Sequence, residues 1–363
     1  MVLDRYLASR FLMLFLMVLG IMFLLLTLID FAEEVRFFDE LPLADVMEIV
    51  LLNAPSNTYE ILPLVMILAS VALFLRLART SELVVIRAAG RSALRALIAP
   101  ALTAFMVGLV TIGVFNPLVA ATSKRHNDLV NRYSTGSDVP TLAIAVEGLW
   151  MRQGDRDSQS VIHATRASSD LTVLYNMTII SFSPSGEPLE RVFARTARLS
   201  DGEWEMEDVK RWDLTADNPE ASAQKMPTLT MVSHLTQERI LETFGAPEYI
   251  SLWDMPAFID RLEVAGFSAR RYEMWFNREL ARPIFLMSLL MIAAAFTMRH
   301  TRLGNTGVSV LVAIMLGFAL HYIRNFASIL GEAGQLPIAL AAWTPPLAAL
   351  SLALGILLHK EDG

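Results

Sequence analysis

The segment of the sequence with the most distinctive chemistry is a compact basic stretch, residues 76–95, that lies between two long apolar runs. It contains five arginines and one acid, Glu82. The apolar residues between the arginines are too few to cross a bilayer, which takes about 20 residues. Basic loops between membrane spans are typical of the cytoplasmic side. The pattern therefore predicts a short cytoplasmic helix that docks on a partner.

Local signals place the bounds of this short helix. Thr80 or Ser81 can cap its start, and Gly90 can end it. Glu82 falls in the first turn, where its charge suits the helix dipole. The candidate docking residues are Ser81, Glu82, Leu83, Val84, Ile86, Arg87 and Gly90. Because short apolar runs are ambiguous, the alternative is a helix that packs only against the ends of its own membrane-spanning neighbours.

No motif for covalent chemistry accompanies this segment. The sequence has no Gly-Lys pair and hence no P-loop, so an ATP-driven role requires a separate ATPase. It also lacks H-E-x-x-H and G-x-S-x-G motifs, has no cysteine, and has six histidines without ligand spacing. We therefore expect no catalytic residue, no metal and no cofactor in this chain itself.

A second set of candidates consists of arginines at the outer ends of predicted membrane spans. They are Arg36, Arg278, Arg282 and Arg324. Arg278 and Arg282 are four residues apart and so share one helix face. Two interpretations remain open. These arginines form salt bridges between helices or extend to the membrane interface, or they line a mouth that accepts an amphiphile with charged head groups.

The composition and the long uncharged runs predict an integral membrane protein. Hydrophobic residues make up 54% of the 363 residues and charged residues 18%, a balance that soluble domains rarely have. Six apolar runs predict six membrane-spanning helices: 11–29, 61–75, 96–119, 283–298, 308–322 and 338–358. The first run has no A-x-A-like cleavage site after it, which favours a membrane anchor over a signal peptide. We expect Pro55 and Pro63 to kink or separate the second span, and Asn116-Pro117 to mark the end of the third.

The remaining long segment, residues 121–271, predicts an inserted β domain. It is polar throughout, and Leu171, Val173, Tyr175, Met177 and Ile179 alternate with partly polar neighbours, as in a half-buried strand. The expected architecture is an antiparallel sandwich between two three-helix halves, residues 1–120 and 272–363. Because the short loops 76–95 and 299–302 are basic, both termini are expected in the cytoplasm and the β domain outside.

Four short segments resemble the LptF/LptG family of lipopolysaccharide export permeases. They are V-L-D-R-Y-L at 2–7, S-E-L-V-V-I-R-A-A-G at 81–90, G-L-W at 148–150 and R-Y at 271–272. The order of three helices, β domain and three helices resembles the family along the full length, and the first two segments are closer to its LptG branch. The resemblance implies a bacterial inner-membrane permease with a periplasmic β-jellyroll that extracts lipopolysaccharide and passes it to a periplasmic bridge.

The resemblance also implies partners and roles. The partners would be an LptF-like sister permease, an LptB-like ATPase dimer that binds ATP and Mg²⁺, an LptC-like single-span protein, an LptA-like bridge and lipopolysaccharide. Residues 80–91 would form the coupling helix in a groove of the ATPase, with Glu82 at the family's acidic contact. The alternative is a membrane-anchored periplasmic scaffold without transport activity.

One departure from the family concerns the outer end of the first helix. Family members carry lysines there that face lipid phosphates, whereas this chain has Asp30, Glu33 and Glu34, with Arg36 as the only base. We therefore do not carry those phosphate contacts over to this chain.

Overall fold

The computed structural model describes residues 2–38, 41–88, 90–135, 143–145, 148–154, 159–167, 173–183, 186–200, 202–216, 218–233, 246–264, 268–298 and 306–361. The chain divides into two compact units. One contains Met1–Val130, Glu248–Trp253 and Tyr272–Gly363, and the other contains Asn131–Pro247 and Asp254–Arg271. Each unit is described by itself below.

Ten α-helices lie within the described residues: α1 (Val2–Phe37), α2 (Leu43–Arg79), α3 (Glu82–Ala88), α4 (Ala93–Val110), α5 (Asn116–Thr135), α6 (Met255–Val264), α7 (Arg270–Leu280), α8 (Arg282–Thr297), α9 (Thr306–Glu332) and α10 (Ile338–Glu361). Five helical segments are long and apolar enough to cross a membrane, and α7 with α8, bent by 47°, make a sixth if they count as one span. The central helix is α8, which contacts α2, α4, α9 and α10 and is buried along most of its length.

The second span is not separated at its prolines, although separation was one of the two outcomes expected from the sequence. Helix α2 runs without a break from Leu43 to Arg79, with Pro55 and Pro63 inside it. A proline removes one backbone hydrogen bond from a helix. Most of the membrane segment of α2 is buried against other helices, and this packing offsets the loss.

The helix of the third span also continues past its proline, so Asn116-Pro117 does not end that helix. A π-helical turn, Thr111–Phe115, joins α4 to α5. Because Pro117 has no amide hydrogen, it cannot donate to the carbonyl of Gly113, four residues earlier. The indole Nε1 of Trp253 donates to that carbonyl at 3.2 Å. A side chain distant in sequence thus supplies the missing hydrogen bond.

The described strands of the second unit form one antiparallel sheet, in agreement with the predicted antiparallel β domain. Its seven described strands are β1 (Ala143–Ala145), β2 (Gly148–Gly154), β3 (Gln159–Ala167), β4 (Val173–Phe182), β5 (Pro188–Ser200), β6 (Glu203–Asp213) and β7 (Gln224–Val232). They are hydrogen-bonded in chain order. Consecutive strands paired in this way extend one sheet, and its buried side chains include Ile162, Met177, Ala194 and Trp204.

A row of positions without ladder pairing crosses the described part of this sheet. In each strand pair from β3–β4 to β6–β7, one pair of facing residues in the middle of the ladder is missing from the regular pairing. The row consists of Thr165, Asn176, Arg195, Asp208 and Pro227. Asn176 and Asp208 have φ values of 50° and 53°, which asparagine and aspartate tolerate better than most residues.

This row reverses the alternation of buried and exposed residues along the strands. In β4, Leu174 and Met177 are both buried, although they are three residues apart, and Tyr175 is partly exposed. The predicted inward position of Tyr175 is therefore wrong, and Leu171 lies outside the described residues. Strict alternation continues only up to a residue with left-handed backbone.

Candidate functional site

Helix α3 is bounded by two residues with left-handed backbone. Ser81, with φ 58°, forms the turn after α2, and its carbonyl accepts the amide hydrogens of Val84 and Val85 at 3.0 and 3.3 Å. Gly90, with φ 79°, follows the helix, and the amide of Arg91 donates to the carbonyl of Ile86 at 3.3 Å. A hydrogen bond that spans five residues in this way is one of the two that define a Schellman motif at the end of a helix. The short helix therefore has a fixed beginning and a fixed end.

The two faces of α3 differ in exposure. Ile86 is only 6% exposed and belongs to the main hydrophobic cluster of the helical unit, against which Leu83 also packs. Val84 and Val85 are exposed, Val85 at 68%. Ser81 and Ala88 are exposed as well, and the spacing of i, i+3, i+4 and i+7 places these four residues on one face. The side chain of Arg87 lies outside the described residues.

Val85 is the residue that the sequence analysis omitted from this site. The candidate docking residues named from the sequence included Val84 together with Leu83 and Ile86. The structure instead places Val84 and Val85 outside and Leu83 and Ile86 inside. The helical spacing of 81, 84, 85 and 88 was the signal that could have identified it.

The carboxylate of Glu82 is bound within its own chain. Tyr6 donates its hydroxyl to Oε2 at 3.0 Å, and Nη1 of Arg10 lies 3.4 Å from Oε1. The hydroxyl of Thr80 lies 2.9 Å from Oε1. Both oxygens of Glu82 therefore already have donors from α1 or from the preceding turn.

Arg282 is fully engaged inside the helical unit, at the junction of α7 and α8. It is 6% exposed, and its Nε and Nη2 donate to the two carboxylate oxygens of Glu279 at 2.6 and 2.7 Å. Its Nη1 donates to the carbonyl of Tyr59 at 3.2 Å, and the hydroxyl of Tyr59 donates to Glu279. Bidentate pairing of this kind fixes a guanidinium in place. These contacts agree with the salt-bridge interpretation for Arg282.

Arg278 and Arg324 are bound less completely. Arg324 is 3% exposed, its Nη2 donates to the carbonyl of Arg278 at 3.2 Å, and its Nε has no hydrogen-bond partner among the described residues. Nε of Arg278 lies 3.8 Å from Oε1 of Glu279, beyond hydrogen-bond range. Among the described residues of this cluster, the carboxylate of Glu279 forms ion pairs with Arg282 and, at 3.8 Å, with Arg278. The arginine cluster, Arg278, Arg282 and Arg324, thus has excess positive charge.

The charged residues at the outer end of α1 include Asp30 and Arg36. Asn53 donates its side-chain amide to both carboxylate oxygens of Asp30, at 3.2 and 3.0 Å, and Asn57 donates to Oδ2 at 3.3 Å. Asp30 therefore ties α1 to α2. Arg36 is exposed in the last turn of α1.

Comparison with known proteins identifies the family. The family model described as "Lipopolysaccharide export system permease LptF/LptG" matches residues 5–359. The chain belongs to the LptF/LptG family. Both the resemblance and the fold class predicted from the sequence, a helical membrane protein with an inserted antiparallel β domain, are confirmed.

Relatives within the LptF/LptG family match over their whole length. The chain is 22% identical over 371 residues to the lipopolysaccharide export system permease protein LptG of Escherichia coli strain K12, with 99% of each chain covered. It is 23% identical over 374 residues to the LptG protein of Haemophilus influenzae, again with 99% of each covered. The match is therefore not confined to one domain.

Proposed function

We propose that this chain is an LptG-type subunit of an ABC transporter that extracts lipopolysaccharide from the periplasmic leaflet of the inner membrane and passes it to a periplasmic bridge. The observation that carries this proposal is the family match across nearly the whole chain. The chain pairs with an LptF-like permease and works with LptC-like and LptA-like proteins. Both termini are cytoplasmic, and the β domain is periplasmic.

An LptB-like ATPase dimer supplies the energy. The sequence has no P-loop, so ATP and Mg²⁺ bind to that partner and this chain is not an enzyme. Energy is required because lipid extraction exposes acyl chains, at about 0.8 kcal/mol per CH₂ group.

The exposed face of α3 docks on the ATPase. Val84 and Val85 offer apolar contacts, while Leu83 and Ile86 hold the helix to the permease. Full burial of a valine side chain contributes about 1.5 kcal/mol or more. This face therefore supports a specific contact even though α3 has only seven residues.

Anionic head groups bind near the arginine cluster. Arg324 has a buried, unpartnered Nε, and Arg278 is only partly neutralised by Glu279. Arg36 is a further exposed base at the outer end of α1. Arg282 supports this site indirectly, because its ion pair with Glu279 fixes the junction that carries Arg278.

A substitution of Val85 tests the docking face. Val85→Asp should reduce co-purification of the ATPase at least about tenfold, since a tenfold change corresponds to roughly 1.4 kcal/mol of binding free energy. ATP-dependent release of lipopolysaccharide from proteoliposomes should fall with it. Val264→Asp is the matched control, because Val264 is 74% exposed in α6. Wild-type ATPase association in Val85→Asp would overturn the docking assignment.

A further inference from the structure

The first turns of α1 contact residues at both ends of the coupling helix α3. At the start of α3, Tyr6 and Arg10 bind the carboxylate of Glu82 at 3.0 and 3.4 Å. After its end, Nη1 of Arg91 lies 2.6 Å from Oδ1 of Asp4. The side chains of both ion pairs are only partly exposed, Arg10 and Glu82 at 18% and 30%. Two separate clamps thus join α3 to α1.

We propose that Asp4, Tyr6 and Arg10 are positioning residues that make α1 and α3 move together, so that α1 receives the displacement that the ATPase imposes on α3. This inference rests on the proposed function. It assigns Glu82 an internal role, as the residue through which α1 orients the docking face.

The clamps have a physical reason to exist. A helix of seven residues is too short to be stable by itself, because its nucleation cost is not recovered. Its inner face supplies Ile86 as its one fully buried side chain among the described residues. One such anchor leaves the helix free to tilt, whereas contacts at both ends fix its direction.

The signs of the charges in the two ion pairs also favour one position of α3 against α1. The acid Glu82 pairs with the base Arg10, and the base Arg91 pairs with the acid Asp4. A shift of α3 that brought Glu82 toward Asp4 would oppose like charges. Leu7, between these clamp residues in the sequence, is buried in the same hydrophobic cluster as Ile86. The base of α1 is therefore itself held firmly.

The outer end of α1 carries the motion further. Asp30 is bound to Asn53 and Asn57 of α2. A displacement that enters α1 at Tyr6 therefore reaches the level of Asp30 along one continuous helix, Val2–Phe37.

A charge exchange distinguishes the internal role of Glu82 from a direct contact. Arg10→Glu and Glu82→Arg should each lower ATP-dependent lipopolysaccharide release about tenfold, since hydrogen bonds to charged groups contribute at this level. The double variant restores the pair in reverse and should recover most of the release. Tyr6→Phe, a conservative change, should lower release about threefold. If the double variant stays as defective as Glu82→Arg although all variants are folded, the inference is wrong.

A crosslink tests joint motion directly. The chain has no cysteine, so Tyr6→Cys with Glu82→Cys can be joined by a bifunctional thiol reagent in the assembled complex. After crosslinking, ATP-dependent release of lipopolysaccharide should stay within twofold of the release by the same variant before crosslinking. If crosslinking stops release, α1 and α3 move apart during the cycle and the inference is wrong. Binding of the ATPase to the unmodified chain is measured in parallel, and its absence would refute the proposed function itself.

Discussion

Loss of the Glu279 carboxylate should strongly destabilise the helical unit. Glu279 is inaccessible to solvent and accepts hydrogen bonds from Arg282 at 2.6 and 2.7 Å and from Tyr59. Glu279→Ala leaves Arg282 buried without a counter-ion and places Arg278 and Arg324 near an uncompensated charge. Breaking a buried ion pair by removing one partner costs about 3–5 kcal/mol. The expected loss in the free energy of unfolding is in that range.

The assay is reversible unfolding of the purified chain in mixed micelles titrated with sodium dodecyl sulfate. Glu48→Ala is the control, because its ion pair with Arg125 is equally short at 2.7 Å but has side chains 46% and 67% exposed. Exposed pairs contribute about 1 kcal/mol or less. A double change, Glu279→Met with Arg282→Met, should recover much of the loss, since no charge then remains buried in that pair.

The result that would refute this reasoning is equal destabilisation by Glu279→Ala and Glu48→Ala. It would mean that water reaches the arginine cluster and screens its charges. The salt-bridge description of Arg282 would then fail, and Arg282 would become available for a head group.

Two further predictions concern close helix contacts. Gly108→Ala should lower the free energy of unfolding by roughly 1–3 kcal/mol in the same titration, because the added Cβ would lie 2.5 Å from Cα of Pro283. Gly20→Ala is the control and should leave the stability unchanged, because an added Cβ there has no atom within 4 Å. Equal losses in the two variants would contradict the close contact. Trp253→Phe should cost about 0.5–1.5 kcal/mol, because the carbonyl of Gly113 loses its donor. Faster hydrogen exchange around the π-helical turn would confirm this, and unchanged exchange would refute it.

The membrane spans were predictable from the sequence, but their interruptions were not. Long uncharged runs are sufficient to place a span, since a bilayer demands about 20 apolar residues. The effect of a proline depends on what satisfies the carbonyl that it leaves without a donor. For Pro117 that donor is Trp253, which lies 140 residues along the chain from Gly113. No local pattern contains that information.

Some features of the candidate site were likewise predictable from local sequence, and others were not. The bounds of α3 follow from local signals at Ser81 and Gly90, and the exposed position of Val85 follows from helical spacing. The clamp on Glu82 does not, because Tyr6 is 76 residues away. The ion pair of Arg282 had a visible signal, since Glu279 precedes it by three residues on the same helical face. The three-residue spacing between Glu279 and Arg282 predicted this contact as well as the four-residue spacing between Arg278 and Arg282 predicted their shared helix face.

One of the acids at the outer end of α1, Asp30, has a structural explanation. The family resemblance leads one to expect lysines there that face lipid phosphates. In this chain Asp30 instead accepts hydrogen bonds from Asn53 and Asn57, a role that a lysine cannot fill because it only donates. In the proposed function, the positive charge for an anionic head group comes from Arg36 and from arginines of other helices. We propose that Arg278 and Arg324 supply much of that charge, because the single carboxylate of Glu279 is already paired with Arg282.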